Sequence, residues 1–231
     1  MKIQPLDASI VTELRLTAFK SYRDQSLPID DLTVVVGRNG SGKSNALDGL
    51  WVLARLAGGE DLREALDGSR EGPQVRGGAL GCVPHGMDTF TLGCTVLTGL
   101  ESIYYDVTIK VNSSVQVVGE SLSLGGDRVI LKTLDASPDL SDIQARWTNN
   151  ERGRDPHVAF RSNRLLVTQV PGRILATEAG LVLHRASAQL LSALKAAFVL
   201  DPVPHAMRTY VNEHQVVLRR DASNISQPLE T

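Results

Sequence analysis

The sequence predicts an α/β fold in which a mixed sheet with a glycine-rich loop is joined to an antiparallel β-meander. Three observations predict it. A short apolar run, a glycine-rich loop and a helical pattern follow one another between residues 32 and 57. From residue 88 onward, apolar residues alternate with period two, which is typical of paired strands. Residues 186–197 then place apolar side chains at helical spacing.

The glycine-rich loop is the most specific signal in the chain. Residues 37–44 read Gly-Arg-Asn-Gly-Ser-Gly-Lys-Ser and fit the pattern G-x-x-x-x-G-K-[ST] without a mismatch. We expect residues 32–36 to form a buried strand before the loop, and residues 45–57 a helix that stops at Gly58. Because strand and helix are the context that the motif requires, a chance glycine-rich turn is disfavoured.

These residue types suit the binding of a nucleotide tail. The glycines allow the backbone to wrap an anion with N–H groups pointing inward at the start of a helix. Lys43 can reach the β- and γ-phosphates of ATP, and the Ser44 hydroxyl can ligate Mg²⁺. The predicted nucleotide contacts of the loop are Gly37, Arg38, Asn39, Gly40, Ser41, Gly42, Lys43, Ser44 and Asn45.

A second pattern surrounds the loop. Phe19-Lys20-Ser21-Tyr22 precedes it, and residues 37–48 read Gly-x-Asn-Gly-Ser-Gly-Lys-Ser-Asn-x-Leu-Asp. Over residues 13–56 the chain resembles the ABC-type ATPase heads of the structural-maintenance-of-chromosomes and RecF group. The resemblance continues more weakly as that of bacterial RecF-like AAA-family ATPases, many of them in defence or overcoming-lysogenization systems. It implies that Lys20 and Ser21 are secondary nucleotide contacts, whereas the residues alone indicate only an exposed turn.

The resemblance also implies parts that the sequence does not contain. Such heads carry a signature loop and a strand ending in an aspartate and a catalytic glutamate, and neither pattern follows the meander. The chain therefore looks like the N-terminal lobe of a longer ATPase, with its helical lid incomplete or absent and hydrolysis dependent on residues elsewhere. A lid glutamine that contacts magnesium is expected, with Gln189 favoured over Gln169.

Asp201 ends an apolar run and superficially matches a magnesium-binding aspartate. It is followed by Pro-Val-Pro rather than by a glutamate, so we expect a structural turn or cap residue.

Composition limits the classes of function. The chain has 231 residues, 42% hydrophobic and 22% charged, with a net charge of −2. This balance gives no basic footprint for nucleic acid, and 4% aromatic residues offer little for base stacking. Cys82 and Cys94 lack metal-ligand spacing, so free thiols in a reducing compartment are expected. No apolar run is long enough for a membrane span, which favours a cytoplasmic protein.

One ATPase lobe, residues 1–231, is expected in four parts. Residues 9–60 hold the first strands, the loop and the first helix, with residues 21–31 as a connecting turn. Residues 61–87 are a loop-rich insertion with a short helix, and Arg70 and Arg76 there are either partner contacts or solvated side chains. Residues 88–170 form the antiparallel layer, and residues 180–231 a helix and the start of the lid.

Within the antiparallel layer, strands are expected at residues 90–96, 103–111, 115–118, 121–124, 129–134, 157–160 and 165–169. Residues 143–147 are expected to form a weak helical turn, Pro171-Gly172 a turn, and residues 198–200 a short strand.

Two functions remain open. The chain is either the ATP-binding part of an ATPase whose heads form a homodimer, or a nucleotide-gated scaffold for a nuclease, another effector or DNA. The resemblance places either one in DNA repair or antiviral defence. A small-molecule kinase is disfavoured, because an antiparallel meander is not expected in a parallel-sheet kinase.

Overall fold

A computed structural model describes residues 9–69, 73–112, 114–134, 141–149, 155–208 and 218–225. The chain divides into two compact units, Met1–Ala197 and Phe198–Thr231. Residues 1–8 and Arg70 lie outside the described residues.

In the described part of the first unit, eight strands form one sheet. They are β1 (Ile10–Phe19), β2 (Tyr22–Pro28), β3 (Thr89–Leu97), β4 (Ser102–Lys110), β5 (Gln116–Leu124), β6 (Arg128–Thr133), β7 (Asp142–Trp147) and β8 (His157–Arg161). Their spatial order is β2-β1-β3-β4-β5-β6-β7-β8, and every neighbouring pair is antiparallel.

Four α-helices accompany the sheet: α1 (Lys43–Ala57), α2 (Leu62–Asp67), α3 (Leu166–Arg173) and α4 (Glu178–Ala196). A 3₁₀ helix spans Leu80–Cys82, and a second, Ala206–Arg208, lies in the second unit. None of the helices in the described segments has the length and hydrophobicity needed to cross a lipid bilayer.

The α/β class and the antiparallel layer are confirmed. In the β3/β4 hairpin, Leu92 pairs with Val107 and Cys94 with Tyr105, and all four side chains are buried on the helix-facing side. The alternation of apolar residues therefore gives the register directly. Both cysteines are free and buried, as expected.

Helix α1 lies close against the sheet because it presents a glycine there. A β-carbon at Gly49 would lie 2.6 Å from Cδ2 of Leu16 and 3.6 Å from Cδ2 of Leu92. Since β1 and β3 supply those leucines, Gly49 sets the distance at which α1, and the loop before it, sit over the sheet.

Helix α3 is attached to the sheet by a buried carboxylate. Glu120 of β5 accepts hydrogen bonds from the backbone N–H groups of Leu166 (2.7 Å) and Val167 (2.9 Å). Burial raises the pKa of Glu120 to about 7, although these two donors favour the ionised form. Glu120 thus accepts hydrogen bonds at the N-terminus of α3, a helix that is remote from it in sequence.

This anchor corrects one prediction. Residues 165–169 were expected to form a strand and Pro171-Gly172 a turn, but both lie in or next to α3. The apolar run of Leu165 to Val167 fits a buried strand or a buried helix equally well, and the distant carboxylate of Glu120 stabilises the helix.

Four further predictions are corrected. Residues 143–147 form most of β7 rather than a helical turn, because β6 and β8 lie on either side of it. The predicted strands at 115–118 and 121–124 are one strand, β5. Residues 198–200 have no strand structure, and helix α4 begins eight positions before residue 186, at Glu178.

The predicted buried strand at residues 32–36 is also wrong. This segment is not part of the sheet, and Leu32 and Val36 are each 83% exposed. The place beside β1 is taken, because β2 and β3 pair with its two edges. The residues that form β2 were expected to be only a connecting turn.

In the second unit, the Asp201 N–H donates to the carbonyl of Arg220 (2.8 Å), and its carboxylate lies 3.9 Å from the Arg220 guanidinium. The Val203 N–H donates to the Asp221 carbonyl (3.0 Å). Asp201 thus contacts Arg220 within this unit, and residues 198–200 directly before it form no strand.

Candidate functional site

The glycine-rich loop forms a tight turn that leads directly into α1. Gly40 and Gly42 have φ angles of 81° and 93°, the left-handed region that glycine occupies without steric cost. The N–H of Ser41 donates to the carbonyl of Arg38 (3.1 Å), which closes the turn. Gly42 is the N-cap of α1, and no side chain caps that end. The positive end of the helix dipole is therefore directed at the loop.

The Lys43 side chain folds back over this turn. Its Nζ donates to the carbonyl oxygens of Gly37 (2.6 Å) and Arg38 (2.8 Å). The ammonium is thereby held over the turn, bonded to two carbonyl oxygens of the loop backbone. Lys43 is the one residue of the loop whose charge and position both suit a phosphate group.

Two loop glycines lie close to serine side chains, so that any larger residue would require the serine to move. A β-carbon at Gly37 would lie 2.8 Å from Oγ of Ser41, and one at Gly42 would lie 2.9 Å from Oγ of Ser21. Both distances are shorter than real contacts allow. The shape of the turn therefore depends on the glycines that the motif specifies.

The β1/β2 turn forms one wall beside the loop. The Tyr22 hydroxyl donates to the carbonyl of Gly42 (3.2 Å), and Nδ2 of Asn45 donates to Oγ of Ser21 (2.9 Å). Burial raises the pKa of Tyr22. Ser21 and Asn45 thus lie next to each other at the loop, and both were predicted to contact the nucleotide.

Lys20 is oriented differently from its neighbour Ser21. Its Nζ lies 2.8 Å from Oδ2 of Asp48 on α1 and donates to the carbonyl of Arg76 (2.9 Å). The side chains of Lys20 and Asp48 are 6% and 1% exposed. The charge of Lys20 is therefore engaged in an ion pair inside the protein rather than directed at the loop.

The glycine-rich insertion after α2 is more ordered than the predicted surface loop. Val75, Ala79 and Cys82 are buried, and the Cys82 carbonyl accepts a hydrogen bond from the Lys20 N–H (2.8 Å). Arg76 is half exposed, with Nε 3.9 Å from Oδ2 of Asp48. This segment, residues 73–82, thus packs on the β1/β2 turn that borders the phosphate loop.

The two glutamine candidates differ in their surroundings. Gln169 belongs to α3, where its amide bonds the backbone of Arg161 through both Nε2 (2.9 Å) and Oε1 (2.9 Å). Gln189 lies half buried on α4. Gln169 is therefore used to join β8 to α3, and Gln189 remains a predicted metal contact.

Ser44 is the loop residue suited to magnesium, because its hydroxyl stands in the first turn of α1 beside Lys43. Among the described residues, no cluster of three or more His, Cys, Asp or Glu side chains could hold a metal. The loop therefore offers a magnesium ion the hydroxyl of Ser44, and the remaining ligands would have to come from a bound phosphate.

The comparisons with known proteins agree with the position of this site. Residues 10–79 match the family model described as an AAA ATPase domain. The chromosome partition protein Smc of Rhodopirellula baltica is 43% identical over 74 residues, which are 29% of this chain and 6% of that protein. Smc of Methanococcus voltae is 39% identical over 54 residues, 23% of this chain and 4% of that protein.

This chain therefore spans only a small fraction of the curated relatives that it matches. Among solved structures, the recombination mediator protein RecF with ATP aligns with 55% of this chain and 30% of that chain, at 16% identity and a TM-score of 0.35. Residues 10–79 are thus similar to AAA ATPase domains, and part of the chain is similar to a small part of Smc proteins.

Sequence reasoning missed two residues of this region, Tyr22 and Asp48. Both belong to the segments that carry the resemblance, but no role was assigned to either. Asp48 carries a usable signal, because it is a charged residue between the apolar positions Leu47 and Leu50 of the predicted helix. A carboxylate so placed needs a cationic partner, and Lys20 satisfies that need.

Proposed function

We propose that residues 37–44 bind the triphosphate of ATP together with Mg²⁺, and that the chain is the nucleotide-binding lobe of an SMC/RecF-like ATPase. One observation carries the proposal: the left-handed glycine turn leads into the uncapped N-terminus of α1, with the Lys43 ammonium folded over it. Backbone amides, the helix dipole and one cation then converge on a single anion.

The other loop residues have distinct roles in this proposal. Gly37, Gly40 and Gly42 shape the turn, while Arg38, Asn39 and Ser41 expose their backbone to the phosphates. The φ angles of Gly40 and Gly42 and the close approaches at Gly37 and Gly42 support the roles of the glycines. Asn45 and Ser21, which bond each other, border the pocket from the side of β1.

Ser44, with Gln189 as a second candidate, would hold the magnesium ion. Magnesium, when bound, neutralises charge on the phosphate oxygens. The protein's own part is to orient the phosphates through the loop and to keep Lys43 close to them.

We propose that hydrolysis requires residues outside this chain. No apolar strand in the sequence ends in an Asp-Glu pair, and Asp201 is engaged with Arg220 in the second unit. Phosphoryl transfer depends on positioning and on charge neutralisation, so a cradle without a water-orienting glutamate should bind ATP well and hydrolyse it slowly. By resemblance, ATP would join two such heads as a homodimer in DNA repair, chromosome handling or antiviral defence.

The test is calorimetric titration with MgATP, together with the rate of phosphate release. We expect binding by the unmutated chain, loss of binding in Lys43→Ala and no change in Lys132→Ala, an exposed lysine on β6. Hydrolysis of ATP should be slow, and Asp201→Ala should not change its rate. Absence of MgATP binding would refute the proposal, and fast turnover abolished by Asp201→Ala would refute the assignment of Asp201.

A nucleotide-gated scaffold for a nuclease or DNA is the second candidate. It is favoured by the packing of residues 73–82 on Lys20, close to the phosphate loop, with the Arg76 side chain half exposed. Size-exclusion chromatography with and without MgATP, for the unmutated chain and Lys43→Ala, tests it. A nucleotide-dependent change in elution that Lys43→Ala abolishes supports gating, and identical elution in all samples opposes it.

A further inference from the structure

We propose that Asp48 is a positioning residue of the nucleotide site, which acts by holding Lys20 and with it the turn that carries Ser21 and Tyr22. This inference rests on the proposed function of the loop. Lys20 is then a structural partner of α1 and not a phosphate ligand.

The geometry joins the two sides of the site. Asp48 lies on α1, one and a half turns after Lys43, and its Oδ2 is 2.8 Å from Nζ of Lys20. Lys20 has a φ angle of 53°, and the turn that it forms places Ser21 and Tyr22 against Gly42. The ion pair therefore fixes the β1/β2 turn to the helix that begins at the phosphate loop.

The two bonds that Ser21 and Tyr22 make to the loop are weak supports by themselves. Tyr22 to Gly42 measures 3.2 Å, and Ser21 is exposed to solvent. A turn with a left-handed, non-glycine residue carries a conformational cost and needs surrounding contacts to keep it in place. The contact between Lys20 and Asp48 is the buried one of this set.

A buried ion pair is poor support for stability, since apolar residues of similar size serve as well or better. Its usual advantage is a single defined geometry. At this position, the geometry that it defines is the separation between Ser21 and Gly42, where a β-carbon on the glycine would already be only 2.9 Å from the serine oxygen. A small shift of the turn would therefore change the wall of the pocket.

The same ammonium also organises residues 73–82. Lys20 Nζ donates to the Arg76 carbonyl (2.9 Å), and the Lys20 N–H donates to the Cys82 carbonyl (2.8 Å). Loss of Asp48 would leave Lys20 attached to this segment but would remove its attachment to α1. The pocket wall would then move with the segment instead of with the phosphate loop.

A direct role of Lys20 on phosphate makes the opposite prediction for Asp48. If Lys20 were a ligand, Lys20→Met would weaken MgATP binding, whereas Asp48→Asn would release the ammonium and leave binding equal or stronger. If Asp48 positions the turn through Lys20, both variants weaken binding by a similar factor, and the double variant is no worse than either one.

The experiment is a double-mutant cycle on the full chain, read as the dissociation constant of MgATP by calorimetric titration. We expect Lys20→Met, Asp48→Asn and the double variant each to weaken binding by roughly five- to tenfold, with strong non-additivity. Lys20→Arg keeps a cation opposite Asp48 and should restore most of the affinity. If Lys20→Met weakened binding through a general loss of stability, Lys20→Arg would not restore the binding constant alone. It would restore thermal stability as well.

Glu60→Gln is the matched control. It removes the ion pair of Glu60 with Arg55 (Nε to Oε2, 2.8 Å) at the opposite end of the same helix. In Glu60→Gln, Arg55 keeps its hydrogen bonds to the carbonyls of Ala65 and Pro73. In the same way, Lys20 keeps its hydrogen bond to the carbonyl of Arg76 in Asp48→Asn. Thermal stability should fall in Glu60→Gln while the MgATP constant stays unchanged.

Unchanged or tighter binding in Asp48→Asn, with the unmutated chain binding normally, overturns this inference and leaves the proposed function intact. Additive losses in the double variant overturn it as well. Failure of the unmutated chain to bind MgATP overturns both. If Asp48→Asn does not fold, Asp48→Glu takes its place, since it keeps the charge and displaces the carboxylate from Lys20: weaker MgATP binding supports positioning through Lys20, and equal or tighter binding overturns it.

Discussion

Gly42 and Ser21 approach so closely that a β-carbon on the glycine would lie 2.9 Å from the serine Oγ. The glycine belongs to the phosphate loop and the serine to the turn between β1 and β2. Two segments separated in sequence thus meet at the start of α1, where the side chains of Ser21 and Tyr22 lie against the backbone of Gly42.

The first prediction concerns Gly42→Ala. An alanine at this position has the conformational cost of a φ angle of 93° and also places its β-carbon too close to Ser21. The affinity for MgATP should therefore fall by roughly tenfold or more. Gly59→Ala is the control, since Gly59 has the same φ angle at the far end of α1 and nothing within 4 Å of the added carbon. Calorimetric titration should show a loss of binding only in Gly42→Ala.

The control should lose stability by about 1–2 kcal/mol from backbone strain alone. Adding Ser21→Gly to Gly42→Ala removes the side-chain contact and should recover part of the affinity. Equal MgATP constants for Gly42→Ala and Gly59→Ala would contradict the close approach as the cause.

The second prediction concerns Glu120 and pH. Its pKa is about 7 in the folded chain against an ordinary value of 4.5, so between these values the folded state holds a proton that the unfolded state releases. The contribution of Glu120 to the free energy of unfolding is fully present below pH 4.5 and is lost as the pH rises through 7. The total loss is about 3 kcal/mol. Urea unfolding from pH 4.5 to 8 measures it.

Glu120→Gln removes the ionisation while keeping an oxygen for the N–H groups of Leu166 and Val167. The difference in unfolding free energy between this variant and the unmutated chain should therefore grow in favour of the variant as pH rises. Glu101→Gln, at the exposed turn between β3 and β4, should keep the original slope. A pH-independent difference for Glu120→Gln would refute the assignment.

The third prediction concerns Gly49. A valine there would overlap Leu16 and push α1 away from the sheet, because even the first carbon would lie 2.6 Å from Cδ2 of that leucine. We expect Gly49→Val to lower the unfolding free energy by about 1–3 kcal/mol and to weaken MgATP binding as the loop moves. Chemical denaturation and titration of the same sample separate the two effects.

Gly172→Ala on α3 is the matched substitution, since nothing lies within 4 Å of its added carbon. It should be neutral or slightly stabilising. Pairing Gly49→Val with Leu16→Ala should restore part of the stability by returning the lost space. If Leu16→Ala did not reduce the destabilisation caused by Gly49→Val, overlap with Leu16 would not be its cause.

The fourth prediction concerns the thiols. Burial raises the pKa of both Cys82 and Cys94 to about 12, and both side chains are inaccessible. At pH 8, a thiol reagent should leave the folded chain unmodified and should modify two groups after unfolding in guanidinium. Rapid modification of the native chain would contradict the packing around these residues.

Much of the fold is readable from local pattern. The hairpin of β3 and β4, the boundaries of α1 and the helix of residues 62–67 follow from apolar spacing and from glycine stops. The conformation of the loop at residues 37–44 could also be predicted, since Gly40 and Gly42 adopt the positive φ angles that glycine allows. In each case, the determining contacts lie within a few residues or in the adjacent strand.

The remainder depended on partners that are remote in sequence. Helix α3 is decided by Glu120, and β7 by the strands on both sides of it. The place of residues 32–36 was decided by β2, which occupies the edge of β1. The orientation of Lys20 required Asp48, 28 positions away, and single-sequence periodicity carries no signal for such a pairing.

The bare valine run that leads into the phosphate loop has a practical consequence. Extended, branched and uncharged side chains that face water are the chemistry from which intermolecular β-zippers are assembled. Concentrated solutions of this chain will tend to cluster through residues 32–36, so light scattering should accompany every affinity measurement. We expect the residues that lead into the glycine-rich loop to limit the solubility of the chain, and replacement of Val34 by lysine should raise it.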